Sequence, residues 1–216
     1  MASKKYVPVM VTPFQQDKTI DYKMLGELVD FYLDAGAGGL FANCLSSEMF
    51  QLSPEEMLES VRFVVEKAQG RVPVVASGSF GADIEEQAGF IRKISTTGIT
   101  SVIVITGLLA TEEESDEVFQ SRVWKLLDLT DDIPLGFYEC PVPYKRLVKY
   151  HKDTCLDIEG VRKKLEGSGS NPSFGLYDAY MVHAVESLKA GSAGLSCIQG
   201  NYFPELVAWL CDHYLE

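Results

Sequence analysis

Two short runs decide how this chain folds: Pro134-Leu135-Gly136-Phe137-Tyr138 and Val148-Lys149-Tyr150-His151-Lys152-Asp153. Each reads as one strand, rich in β-branched and aromatic residues or bounded by turn formers. A strand alternates its faces, so Tyr138 shares a side with Gly136, and Lys152 shares one with Val148 and Tyr150. A lysine on the mainly apolar side of a buried strand is costly while charged. Desolvation favours the neutral amine and lowers its pKa from about 10.4. A neutral amine can attack a ketone to form a Schiff base. A lysine and a tyrosine at the ends of consecutive strands make an amine and a proton shuttle. Lys152 and Tyr138 are therefore the catalytic candidates.

Outward from these runs, short β-type segments alternate with longer helical patterns. Strands are predicted over Tyr6–Val11, Gly39–Asn43, Val72–Ala76 and Ser101–Thr106, then to Tyr138, to Lys152, over Ser173–Gly175 and over Gly194–Ile198. Helices are predicted from Asp21 to Ala35, from Ser53-Pro54-Glu55-Glu56, from Asp83, and from a Thr111/Glu114 capping box to Leu129. Further helices follow over Asp157–Glu166, after a capping Asp178, and from Phe203. Eight βα units at this spacing predict an α/β fold, a single (β/α)8 barrel domain over residues 1–216. The alternative is a doubly wound sheet, but no G-x-G-x-x-G follows the first strand.

One connection is too short for the pattern. Only Glu139 to Leu147 separate the fifth and sixth strands, and Pro141 and Pro143 bar a helix there. The barrel is expected to lack one outer helix, or to have a chain break near Leu147–Val148. Without that helix, Leu135 and Phe137 are expected to face water unless a partner covers them.

The composition narrows the function classes. The net charge of −12 argues against non-specific nucleic-acid binding, which needs a basic footprint. No apolar run approaches the roughly 20 residues of a membrane span. The start, Met1-Ala2-Ser3-Lys4-Lys5, is not a signal peptide. Five scattered cysteines with no C-x-x-C fit a reduced, cytoplasmic protein. Neither they nor the three histidines show metal-ligand spacing, so no metal ion or cofactor is expected.

Several motifs then fall in order at strand ends. They are Thr12-Pro13-Phe14, Ser46-Ser47-Glu48, Tyr138-Glu139-Cys140-Pro141, Lys152-Asp153 and Gly194-Leu195-Ser196, with Asn201 and Pro204. This order resembles the dihydrodipicolinate synthase / N-acetylneuraminate lyase family of class I aldolases, across almost the whole chain. The resemblance implies a TIM barrel, usually homotetrameric, whose lysine forms a Schiff base with pyruvate or another 2-oxo acid. It implies that Lys152 is that lysine, that Tyr138 relays protons and that Ser46 holds the carboxylate. Ser47, Thr12, Thr106 and Ser196 are the further substrate-binding candidates. The implied partner is a small 2-oxo acid in a dimer or tetramer.

The chain also departs from that family. Its turn reads Cys44-Leu45-Ser46-Ser47-Glu48, where the family often has Gly-Thr-Thr-Gly-Glu. Gly107-Leu108-Leu109 supplies no relay hydroxyl, though Thr106 is near. Pro143, with Lys145 and Arg146 beyond it, stands where the synthases carry an arginine for a second carboxylate. The C-terminal helices of the family have no counterpart in this sequence. These departures point to a lyase acting on a sugar acid or other 2-oxo acid rather than to dihydrodipicolinate synthesis. The alternatives are a Schiff-base dehydratase and a non-catalytic barrel that binds a 2-oxo acid or a partner. On residue grounds alone Ser46 and Ser47 also read as turn residues, and Tyr138 as a core tyrosine.

Overall fold

The computed structural model describes residues 3–146, 157–169 and 174–216. Lys152 and the whole expected sixth strand lie outside the described residues, as do Ser173 and the Leu147–Val148 bond.

Seven strands are described: β1 (Lys5–Tyr6), β2 (Leu40–Ala42), β3 (Val74–Ser77), β4 (Ser101–Ile105), β5 (Leu135–Tyr138), β6 (Tyr177–Asp178) and β7 (Gly194–Leu195). Every pairing between them is parallel. One sheet runs β1-β7-β6 and the other β2-β3-β4-β5. A parallel bridge between Val9 and Phe41 joins them. The last strand in the sequence therefore lies beside the first, which is barrel order and not that of a doubly wound sheet. Eight helices intervene: α1 (Tyr22–Asp34), α2 (Pro54–Ala68), α3 (Ile84–Ser95), the short α4 (Thr106–Leu109), α5 (Asp116–Thr130), α6 (Ile158–Gly167), α7 (Ala184–Ala190) and α8 (Pro204–His213). The described residues between β5 and α6 contain no helix, as the prolines there require.

The pleat sorts the core into two layers. Leu40 and Ala42, Val74 and Ala76, and Val102 and Val104 point to the large cluster shared with the helices. Their neighbours Phe41, Val75, Ile103 and Ile105 point the other way, into an inner cluster. Tyr138 joins the inner cluster opposite Ile105, and Gly136 stands opposite Ile103. Leu135 and Phe137 are on the helix side, where they are partly buried against the main cluster. The expectation that they face water is corrected: other parts of the same chain cover them in part.

Helix starts follow local chemistry. Ser53 and Glu56 form the expected capping box, and Asp21, Asp83 and Asp157 cap α1, α3 and α6. Two starts differ from expectation. Glu114 does accept from the Thr111 N–H at 2.7 Å, but α5 begins later, capped by Ser115. Glu114 also pairs with Arg122 at 2.6 Å. Asp178 ends β6 instead of capping α7, which starts at Ala184 after a 3-10 turn over Met181–His183. The expected seventh strand thus lies a few residues late, at Tyr177–Asp178.

Barrel closure is tightest at Gly194, where a Cβ would stand 1.8 Å from the Lys5 carbonyl oxygen. Backbone cannot move aside cheaply there, because Gly194 also pairs with Tyr177 of β6. Gly194→Ala should destabilise the fold by about 3 kcal/mol, the upper end of ordinary overpacking. Thermal unfolding should then shift down by roughly 6–12 °C. An unchanged Tm would show that β1 and β7 do not pack in this register.

Candidate active site

Barrel enzymes work at the C-terminal ends of their strands. After β2, Asn43 adopts a left-handed conformation (φ 48°) and a 3-10 turn follows over Leu45–Ser47. Ser47 closes the turn on itself: its Oγ donates to the Cys44 carbonyl at 2.8 Å and accepts from the Cys44 N–H at 2.6 Å. The Ser46 Oγ donates to the Val9 and Met10 carbonyls, at 3.0 and 3.1 Å. Thr12 Oγ1 donates to the Ser47 carbonyl at 2.9 Å. The Ser46 and Thr12 hydroxyls thus bind the loop after β1 to the turn after β2, while that of Ser47 holds the turn itself. What the turn has left is backbone. Ser47 and Glu48 N–H bond back to Cys44 and Leu45, so the leading amides of Leu45 and Ser46 have no acceptor among the described residues.

Asn201 completes this corner from the far end of the chain. Its Nδ2 donates to the Val9 carbonyl at 2.9 Å, and its Oδ1 accepts from the Tyr32 hydroxyl at 2.8 Å. Val9 lies beyond the end of β1, and side chains supply the hydrogen bonds that a longer ladder would have made.

Tyr138 closes β5 on the inner face, only 6% exposed. Its ring meets Phe41 edge-on, with centroids 5.6 Å apart. Burial pushes the phenol well above the ordinary tyrosine pKa, and the thiols of Cys140 and Cys44 add to the effect. The group therefore enters any reaction near neutral pH as a proton donor. Thr106 is fully buried; its Oγ1 donates to the Arg146 carbonyl at 2.8 Å and lies 3.3 Å from the Tyr138 carbonyl. Ser196 is buried after β7 and, with Val7, Phe41, Val75 and Tyr177, lines a half-open cavity of about 420 Å³ that reaches Gly39 and Pro73 before β2 and β3. Ser46, Ser47 and Thr12 are thus brought together, and Thr106 is brought to Tyr138.

Three polar groupings escaped the sequence reading. Glu139, fully buried, accepts from the Lys164 ammonium of α6 at 2.7 Å. The available signal was Lys164 three residues after buried Val161, on a helical stripe where an apolar residue belongs. Arg146 is 9% exposed and fully engaged. Its Nη1 meets Asp116 at 2.9 Å, its Nη2 donates to the Thr111 and Glu114 carbonyls at 2.7 Å, and its Nε donates to the Tyr144 hydroxyl at 3.0 Å. Asp178 accepts from the Tyr180 N–H and lies 2.9 Å from His183 Nε2. No local pattern announced the last two.

The sequence model of the dihydrodipicolinate synthetase family matches residues 2–122. The chain belongs to this family. A 4-hydroxy-tetrahydrodipicolinate synthase of Rhizobium meliloti is 25% identical over 217 residues, covering 94% of this chain and 72% of that protein. One from Lachnoclostridium phytofermentans is 31% identical over 135 residues, 61% of this chain and 44% of the relative. Among solved structures, the dihydrodipicolinate synthase of Thermotoga maritima superposes with a TM-score of 0.87 at 18% identity, over the whole of this chain (100%) and 77% of that one. YagE, a prophage protein of this family from E. coli K12 solved with pyruvate, superposes at 0.84 with 22% identity, over 96% of this chain and 74% of its own. The barrel order of the strands is thus the fold of the family.

The buried ion pair yields a stability test. Lys164→Met removes the cation and leaves the buried Glu139 carboxylate without it. Breaking such a pair should cost roughly 3–5 kcal/mol. Adding Glu139→Leu should recover most of the loss, read as the coupling term of a double-mutant cycle in urea. Additive single effects would show that the pair is not coupled.

Proposed function

We propose that the chain is a class I aldolase that forms a Schiff base between Lys152 and pyruvate or another 2-oxo acid, then makes or breaks a carbon–carbon bond. The observation that carries this reading is Tyr138. In a chain of this family, a buried, protonated phenol stands on the inner face at the end of β5, shortly before Lys152 in the sequence. In the proposed step Lys152 attacks the keto carbon as the neutral amine; one amine proton and the Tyr138 phenolic proton pass to the carbonyl oxygen, which leaves as water, and a protonated imine remains. The imine then serves as the electron sink while the methyl carbon gives a proton back to the Tyr138 phenolate and becomes an enamine nucleophile. The leading amides of the turn, Leu45 and Ser46, are the donors offered to the carboxylate, since the Ser46 hydroxyl is spent on Val9 and Met10.

The same reading favours a substrate without a second carboxylate. Arg146, the arginine nearest the expected position, is bound to Asp116 and to two carbonyls. A sugar-acid or other 2-oxo-acid lyase follows more directly than synthesis of 4-hydroxy-tetrahydrodipicolinate. Among the described residues no helix is long and apolar enough to cross a membrane. A cytoplasmic dimer or tetramer built from one barrel domain belongs to this reading.

Incubation with pyruvate and borohydride should fix one adduct on Lys152 and none on Lys149. Folded protein that gains no mass would leave a non-catalytic barrel instead. Exchange of the pyruvate methyl protons in deuterated water reads the enamine step without knowledge of the aldehyde. Tyr138→Phe should slow it by about 10²–10⁴-fold, the usual share of a general acid–base group. Because burial raises the Tyr138 pKa, its protonated form persists through the ordinary tyrosine value. The exchange rate should therefore show no alkaline loss assignable to Tyr138 up to about pH 10. A Tyr138→Phe variant that exchanges at the wild-type rate would make Tyr138 a packing residue.

A further inference from the structure

The end of the chain is apolar on two sides. Pro204, Val207 and Cys211 of α8 are buried, and Val207 and Cys211 belong to the main cluster, with Ala208, Leu210 and Tyr214 packed against it. The solvent side of the helix is apolar as well. Phe203, Leu206 and Trp209 recur at three-residue spacing, which aligns them in one exposed stripe. Ile198 and Tyr202 precede the stripe and Leu215 follows it, and all six side chains are 51–69% exposed. Among the described residues they are six of the fourteen large hydrophobics left in water, gathered within residues 198–215. The outer face of α2 is the contrast: it turns Glu55, Glu59, Arg62 and Glu66 to solvent. A helix that is apolar on both faces belongs between two apolar neighbours, and the barrel supplies one.

We propose that the second neighbour is α8 of another copy of this chain, packed antiparallel across a two-fold axis. The area fits such a contact. With about 150–250 Å² for a large aromatic side chain, the six residues leave on the order of 700 Å² in water. That exceeds the roughly 300–600 Å² of the largest patch on an ordinary monomer and approaches the ~800 Å² each partner brings to a standard interface. Charge selects the same surface. At a net charge of −12, two copies repel one another over most approaches. The stripe itself carries no carboxylate: Glu205 and Asp212, both exposed, lie together on its flank. Acidic flanks also disfavour an anionic membrane as the occupant, since a helix lying on one carries Lys and Arg there. Two-fold symmetry makes the stripe self-complementary, with Leu206 against Trp209 of the partner subunit and Trp209 against the partner's Leu206. Trp209 is preset for this role. Its ring stacks on His213 with centroids 4.6 Å apart, so little rotamer freedom is lost on docking. The contact gives the dimer of the reading above its surface and uses none of the Lys152 chemistry.

Sedimentation of the full chain at roughly 1–100 µM, a range that brackets micromolar affinity, should give a particle of at least two copies. Leu206→Glu and Trp209→Glu each set a charge on both sides of the axis. Each should weaken association by more than about 30-fold, the loss for one hot-spot residue, and halve the particle mass at the low end of that range. Circular dichroism should show both variants folded, since the substituted side chains face water in the single chain. Trp209→Ala, which adds no charge, should weaken association in the same sense. Trp124→Glu alters an equally exposed ring on α5, so it is the control for general stickiness and should leave the particle unchanged. A wild type that stays a single chain at the highest concentration would overturn the proposal and leave the stripe to another occupant. So would folded α8 variants that assemble as the wild type does, or a particle that only Trp124→Glu takes apart. A missing borohydride adduct would leave this contact standing, and a single-chain particle would leave the Schiff base standing.

Discussion

The parallel register of β4 against β5, with Ile105 opposite Tyr138, is the constraint on which the candidate site depends. A pleated strand can face only two ways, so this single pairing assigns every side chain of β5 to a layer. A slip of one residue would turn Phe137 inward and send the Tyr138 hydroxyl among the helices. The register is held from both sides. Val102 and Val104 lie in the helix layer with Leu135 and Phe137, while Ile103 and Ile105 lie in the inner layer with Tyr138. Gly136 contributes by its lack of a side chain, since a Cβ there would stand 2.8 Å from Ile103 Cδ1.

Around that frame, the polar groups at the strand ends fall into two kinds. Most bind backbone to backbone. Ser46, Asn201 and Thr12 hold the loop after β1 to the turn after β2 and to the end of the chain, and Arg146 holds the segment after β5 to the start of α5. The Glu139–Lys164 pair holds the residue next to Tyr138 to α6, the first described helix after Lys152. Short strands make these bonds necessary. β1, β6 and β7 each have two residues, too few for the ladder alone to fix the geometry of the rim. The leading amides of the turn, Leu45 and Ser46, stand apart, with no acceptor among the described residues.

The consequence for mechanism is a site more rigid and less hydroxylated than the motifs suggest. Family residues read by position named Ser46 as a carboxylate ligand, yet its hydroxyl donates to main-chain carbonyls. The departures from the family pattern cluster where Tyr138 is surrounded. Leucine stands in the turn, Cys44 and Cys140 share the buried inner cluster with the phenol, and the nearest arginine is buried in a structural pair. These changes leave the barrel unaltered.

What the sequence determined by itself was local or periodic. The two-residue alternation of β5 put Tyr138 with Gly136, and the caps Asp21, Ser53, Asp83 and Asp157 announced four helix starts, because both depend on neighbours a few residues away. The first two strand-end motifs, at Thr12 and Ser46, fall within the residues that the family model matches. Where Thr111–Glu114 and Asp178 misled, the local carboxylate bonds form without starting the helix: Glu114 accepts from the Thr111 N–H but α5 starts after Ser115, and Asp178 accepts from the Tyr180 N–H but α7 starts at Ala184. Only the tertiary structure decided which hydroxyls remain for substrate. Ser46 finds its acceptor at Val9, 37 residues away, and Lys164 finds Glu139 at 25. A polar side chain removed from water must take whatever partner the packing brings within about 3 Å, and no sequence spacing specifies that choice.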